Sequence, residues 1–257
     1  MTEVAAASAK LIGRTVSREA LSDAHREQMY GLLTTFFSGV DRQTFGDDLR
    51  DKTHVILLED EAGVLRGFST LMVYRSEIPG LDATIVYSGD TIVDRSWWGS
   101  PSLAVSWLAA ARSLSQGYGA REVYWLLLTS GFRTYRFLPV FWRDFYPRHD
   151  GSELHRPLAD ALAAERFGDR YDAQRGVVRF CRPQRLVPEL RDVPSGRTDD
   201  PHVAFFLTRN PGHVEGDELV CVTNIGDHNL TAAGRRIARS VERLSTAVRR
   251  TEMDAAS

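Results

Sequence analysis

At 257 residues the chain is long enough to bury a full core, and 43% hydrophobic with 26% charged residues is the composition of a water-soluble globular protein. A formal charge of -2 gives no electrostatic reason to expect nucleic acid, and no apolar run approaches the roughly 20 residues of a membrane span. Cys181 and Cys221 lie outside any C-x-x-C pair, which argues against a zinc site or redox dithiol and suits structural thiols in a reducing compartment.

The first sixteen residues lack the basic start, apolar core and cleavage pattern of a secretory signal, so a cytoplasmic protein is expected. Residues 9–16 read as a first strand. Ser17 is placed to cap a helix running through Met29, Leu32, Leu33, Phe36 and Phe37, and a second helical piece covers 43–51. An apolar run at 54–58, an acidic turn at 59–63 and a strand at 65–74 predict a β-hairpin. Residues 83–94 are rich in β-branched and aromatic side chains, interrupted only by Ser88, Gly89 and Asp90, and glycine inside a strand marks a bulge or close approach. After the turn at 95–101 comes a helix with Leu103, Trp107, Ala111 and Leu114 on one face, closed by Gly117 and Gly119.

A compact apolar strand follows at 122–128. An aromatic helix carrying Tyr135, Phe137, Phe141, Trp142, Phe145 and Tyr146 comes next, with Pro139 near its start or kink and Pro147 at its end. The remainder reads as a helix at 155–167, strands at 177–180, 202–208 and 218–224, and a final helix. That helix sets Arg235, Arg236, Arg239, Arg243, Arg249 and Arg250 against Ile237, Val241, Leu244 and Val248, the pattern of a solvated basic face. The seven histidines show no metal-ligand spacing; His149 and His213 fall in loops.

The order strand, two helices, three strands, helix, strand, helix resembles the GNAT superfamily of acyltransferases over residues 9–182. The resemblance implies an α/β (α+β) fold: a mixed, mainly antiparallel sheet flanked by helices, whose fourth and fifth strands part to admit a thioester. It sets a GNAT-like domain at 1–183 and a C-terminal strand-and-helix extension at 184–257, packed on the same domain to cover the acceptor site or make a dimer contact. The family's phosphate loop corresponds to the segment 95–101. There Arg95 is one place too far from Gly99, Ser96 takes the expected basic position, and Pro101 replaces a small residue and removes an N–H donor.

For function the resemblance implies transfer of an acyl group from acyl-CoA or an acyl carrier protein, as in GNAT-like N-acyl amino acid synthases, to an amine of a small molecule or peptide. Ile92, Val93, Arg95, Trp98, Gly99, Ser100 and Ser102 would contact the thioester carrier, with no metal involved. Asp90 is the carboxylate nearest the implied cleft and is suited to accept the amine proton. Backbone amides from Asp90 to Ile92 would receive the oxyanion. Tyr135 falls where many relatives place the tyrosine that protonates the departing thiolate. Arg133 and Arg136 read as surface charges, Ser88 as a strand polar residue, and Trp97 and Trp98 as a pair that cannot both face one core. The alternatives are a GNAT-like thioester-binding protein without turnover, or a thioester hydrolase or decarboxylase on the same scaffold.

Overall fold

In the computed structural model, which describes residues 11–255, six long strands form the body of one sheet. They are β1 (Ile12–Ser17), β2 (His54–Glu59), β3 (Leu65–Arg75), β4 (Ala83–Val93), β5 (Glu122–Thr129) and β6 (Glu218–Asn224), and they lie side by side in that order. Every neighbouring pair is antiparallel except β4 and β5, which run parallel. Two-residue strands at Val177–Val178 and Tyr171–Asp172 extend the far edge.

The longer helices that cover the sheet are α1 (Asp23–Thr34), α2 (Arg42–Arg50), α3 (Ser102–Gln116), α4 (Arg156–Phe167), α5 (Pro201–Arg209) and α6 (Ala232–Ala255). On one face Trp107, Leu108 and Ala111 of α3 pack with Val86, Trp125, Leu127 and Cys221 of the sheet, joined by Val203 and Phe206 of α5 and Ala238 and Val241 of α6. On the other face α1 and α2 bury Met29, Leu33, Phe45 and Leu49 over the β2–β3 end, while α4 buries Ala159, Leu162, Ala163 and Phe167 over β4–β6. Near-continuous apolar runs in β2 and β5 follow from this double coverage.

Several sequence expectations change. Ser17 caps only the short turn Arg18–Ala20, and Ser22 caps α1 by accepting from the His25 amide. Residues 202–208 form a helix rather than a strand: Asp200 accepts from the His202 amide and Pro201 fills the first turn, a start signal that outweighs the β-prone Val203, Phe205 and Phe206. The aromatic helix is two short ones, Phe132–Tyr135 and Phe137–Phe141, followed by the two-residue strand Phe145–Tyr146. The strand at 177–180 is confined to Val177–Val178.

The segment after residue 184 supplies a strand to the sheet itself. β6 enters it, pairing with β5 from Leu219↔Thr129 to Asn224↔Tyr124, so the sheet is incomplete without it. The reason is compositional: Leu219–Val222 is an uninterrupted apolar run that only a strand covered on both faces can bury. On α6, Arg235, Arg236, Arg239 and Arg243 face solvent, Val241 is buried, and Leu244 is exposed. Residues 9 and 10 and the side chains of Val248, Arg249 and Arg250 lie outside the described residues.

Candidate functional site

β4 and β5 pair in parallel from Ala83↔Glu122 to Ser88↔Leu127, and there the pairing stops. Beyond it each strand stays with its outer neighbour alone: Thr91, Ile92 and Val93 with Ser69, Phe68 and Gly67 of β3, and Leu128 and Thr129 with Val220 and Leu219 of β6. The two central strands therefore fork. A register shift between Ser69 and Leu71 places one β3 residue, Thr70, opposite Gly89 and Asp90, so the bulge lies at the crotch of the fork.

Two openings meet there. One is a charged cleft of about 450 Å³ on the α2–α4 side, bounded by Asp48, Lys52, Gly89, Asp90, Arg166 and Glu218 among others. The second lies on the α3–α6 side and is apolar, walled by Leu103, Trp107, Trp125, Phe137, Trp142 and Ile237. Thr91 and Thr134 line both.

The cleft floor is built around the bulge. A side chain on Gly89 would put its Cβ 2.5 Å from Lys52 Cε and 2.7 Å from Thr70 Oγ1, so glycine is what lets Lys52 lie over β4. Lys52 is buried. Its Nζ donates to the Asp48 carbonyl oxygen at 2.9 Å and lies 5.3 Å from the centre of the Tyr87 ring. Arg166 reaches the same ring at 5.4 Å and pairs with Asp51 at 3.3 Å.

Asp90 and Glu218 are recessed and face this cluster with no hydrogen-bond or ion-pair partner among the described residues. Burial pushes the Asp90 carboxyl up to about 6, an effect that the positive charge of Lys52 opposes. Glu218 is pushed further, to about 8, by burial and then by the negative charges of Asp90 and Asp48. Burial lowers the affinity of Lys52 for its proton and raises that of Asp48. Of the two carboxyls, Glu218 holds its proton more tightly than Asp90 does.

Tyr135 does not reach this space. It is fully buried, its hydroxyl donates to the Pro147 carbonyl oxygen at 2.8 Å, and Phe145, Phe205 and Phe206 surround its ring. It is a core residue, and the expected thiolate acid is not found at that position. Ser88 is buried on the opposite face, accepting from Trp125 Nε1 at 2.6 Å. Arg136 pairs with Asp200 at 2.9 Å, while Arg133 donates to the Leu190 carbonyl oxygen and lies over the Trp98 ring.

At the expected carrier loop, Gly99 takes φ +93 and α3 begins without a side-chain cap from Pro101. Ser100 Oγ donates to Ser102 Oγ, and Ser102 Oγ in turn to the Leu11 carbonyl oxygen, so both hydroxyls are engaged within the protein. Arg95 is exposed, Ile92 is buried in the α1–α2 core, and Val93 packs against the α3 core. Trp98 is 44% exposed and donates from Nε1 to the Val93 carbonyl oxygen, while Trp97 packs against the core. Asp90 thus stands at the fork, whereas Ile92, Val93, Arg95, Trp98, Gly99, Ser100 and Ser102 line neither opening and Tyr135 lies apart.

Sequence reasoning missed Glu218, Lys52 and Asp48. The signal for Glu218 is a carboxylate at the first position of a largely apolar strand. That for Lys52 is a lysine directly before an apolar run and opposite a strand glycine. Cys221 is buried as expected, but Cys181 is exposed at the cleft, so a structural role for it is not upheld. His213 is buried rather than solvent-facing and hydrogen-bonds the Asn210 carbonyl oxygen through Nδ1.

No family model matches the chain, and neither does any curated protein. Among solved structures it is similar to the aminoglycoside N-acetyltransferase AAC(6')-Iy in complex with CoA, at 17% identity over 46% of this chain and 77% of that one, with a TM-score of 0.35. It is also similar to the GNAT family N-acetyltransferase YhbS from Escherichia coli in complex with CoA, at 16% identity over 51% and 69%, with a TM-score of 0.37. A third is glucosamine-6-phosphate N-acetyltransferase from Arabidopsis thaliana, at 14% identity over 44% and 81%, with a TM-score of 0.33. The mixed, mainly antiparallel sheet with helices on both faces is the fold class expected from the sequence.

Proposed function

We propose that the chain is an N-acyltransferase that moves an acyl group from a thioester to an amine of a small molecule or peptide. The observation that carries this reading is the fork, where Thr91 and Thr134 line both a charged cleft and an apolar pocket. An amine suits the charged side, and the apolar end of an acyl group suits the tryptophan-walled pocket, whose open space is only about 30 Å³, so the thioester itself would lie in the fork. The carbonyl carbon would then lie between them.

In this reading the acceptor enters as the neutral amine, its ammonium proton already released to water, and Asp90, whose raised proton affinity makes it a better base than a surface aspartate, takes the proton that nitrogen sheds as the amide forms. The neutral nitrogen attacks the thioester carbonyl, and backbone amides from Asp90 to Ile92 receive the oxyanion; one such donor is worth about 3 kcal/mol. The donor is acyl-CoA or the phosphopantetheine thioester of an acyl carrier protein. The self-satisfied serines at the mouth of α3 favour a carrier that does not depend on that loop for its phosphates.

The test is to incubate the purified chain with acetyl-CoA, longer acyl-CoAs and acyl carrier protein thioesters against amino acids, aminoglycosides and short peptides. Free thiol and amide released in equal amounts are expected. Thiol without amide marks a hydrolase. The same loop contacts favour one second reading, a thioester-binding protein without turnover, which would hold a thioester unchanged through long incubation.

A further inference from the structure

We propose that Glu218 is a second catalytic residue, which delivers a proton to the departing sulfur while Asp90 takes one from the incoming amine. This rests on the acyl-transfer reading above and supplies the acid that Tyr135, sealed in the core, does not.

The two carboxyls flank the fork from opposite sides. Asp90 sits on β4 at the bulge, whereas Glu218 opens β6, whose next residue, Leu219, is paired with Thr129 at the end of β5. Both border the one charged cleft, and neither is committed to a partner among the described residues. Other groups around that floor are less available. Lys52 Nζ is held by the Asp48 carbonyl oxygen, and Tyr87 is buried beneath Lys52 and Arg166.

The groups that act on Glu218 are Asp90 from β4 and Asp48 and Lys52 from α2 and its end. Arg166, Arg170, Asp47, Asp51 and Arg182 stand around the rim. Two negative neighbours and burial against one cation raise the proton affinity of Glu218 above that of Asp90. Pushing two titratable groups apart in this way is how one site assigns an acid and a base.

The proton balance closes. A nitrogen proton passes to an Asp90 oxygen, and the N–C bond forms as the C–S bond breaks. The sulfur electron pair takes the Glu218 proton, and Asp90 then returns its proton to Glu218. Nothing is oxidised or reduced.

The experiment compares the unsubstituted chain, Glu218→Gln and Asp90→Asn with two donors, acetyl-CoA and S-phenyl thioacetate, using whichever amine of the panel turns over best. An alkyl thiolate is the poorer leaving group and gains more from protonation than thiophenolate does. Glu218→Gln is expected to lose about 10²-fold or more with acetyl-CoA and to recover to within a few-fold with the phenyl ester, while Asp90→Asn loses activity with both. The unsubstituted enzyme should gain activity as pH rises through about 6 and lose it through about 8 with acetyl-CoA. Equal activity of Glu218→Gln and the parent, or an equal loss with both donors, overturns the assignment. No amide from the parent with these donors, the longer acyl-CoAs or the acyl carrier protein thioesters overturns the acyl-transfer reading instead. Infrared spectra give a readout free of turnover: a protonated-carboxyl band at pH 7 is expected in the parent and its absence in Glu218→Gln, and a band that persists in that variant counts against the proposal.

Discussion

The two openings that meet at the fork differ in almost every physical respect. The charged cleft gathers Asp48, Lys52, Asp90, Arg166 and Glu218, while the pocket behind it is walled by Trp107, Trp125 and Trp142, with ring centres 4.4 to 6.1 Å apart. Charged groups crowded in a recess shift one another's proton affinities and prepare proton transfer. Packed indoles offer area to an apolar arm and no proton chemistry. In the proposed reading the polar reactant takes the charged face and the apolar end of the acyl group the other, with Thr91 and Thr134 lining both where the parallel pairing ends.

The sharpest way to break this comparison is to remove the base from the charged side. Asp90→Asn should lower kcat/KM for amide formation by about 10²- to 10⁴-fold without altering the fold, checked by product mass spectrometry beside circular dichroism. A variant with parental activity would strip the cleft of its assigned role.

Blocking the connection is the next largest effect. Thr134→Phe puts bulk where both openings share a wall, so thioester turnover should fall at least tenfold. Steady-state kinetics with varied donor would show the loss. A Gly89→Ala variant sharpens the charged side further, because its new methyl group meets Lys52 Cε and Thr70 Oγ1 at 2.5 and 2.7 Å. Overpacking of this kind costs about 1–3 kcal/mol, read as a fall in denaturant midpoint with a loss of activity as Lys52 moves.

The pH dependence of stability separates the two sides as well. Glu218 has a folded-state affinity raised from 4.5 to about 8, so the folded form holds a proton that the unfolded chain releases. The stabilisation is complete below about 4.5 and is lost as pH climbs towards 8. Thermal melts of Glu218→Gln should show a flatter fall between these limits than the parent. The smallest effect belongs to the core: Tyr135→Phe removes the hydrogen bond to the Pro147 carbonyl oxygen and should cost about 1 kcal/mol with activity unchanged. A large kinetic loss in that variant would restore the tyrosine to the reaction.

The element order was legible because each element carries its own local signal: the apolar run and acidic turn of the β2–β3 hairpin, the glycine stop of α3 and the apolar compactness of β5. The bulge was legible too, since Gly89 interrupts a β-branched run. Asp90 followed from that position. What stayed hidden depends on contacts distant in sequence. Glu218 joins the cleft only because β6 inserts beside β5, and no spacing along the chain announces a pairing between residues 129 and 219. Tyr135 looked available because helix periodicity says nothing of Phe205 and Phe206, which close over it from α5. In α5 a dense apolar stretch mimicked a strand while the Asp200–Pro201 start signal decided the outcome.

The most direct test is a structure of the chain with a non-hydrolysable acyl-thioester analogue, read for the position of the atom that replaces sulfur. It should lie in the fork, between Thr91 and Thr134, with the acyl carbonyl turned towards the amides of Asp90 to Ile92. An analogue seated elsewhere, with β4 and β5 drawn together beyond Ser88 and Leu127, would contradict the assignment.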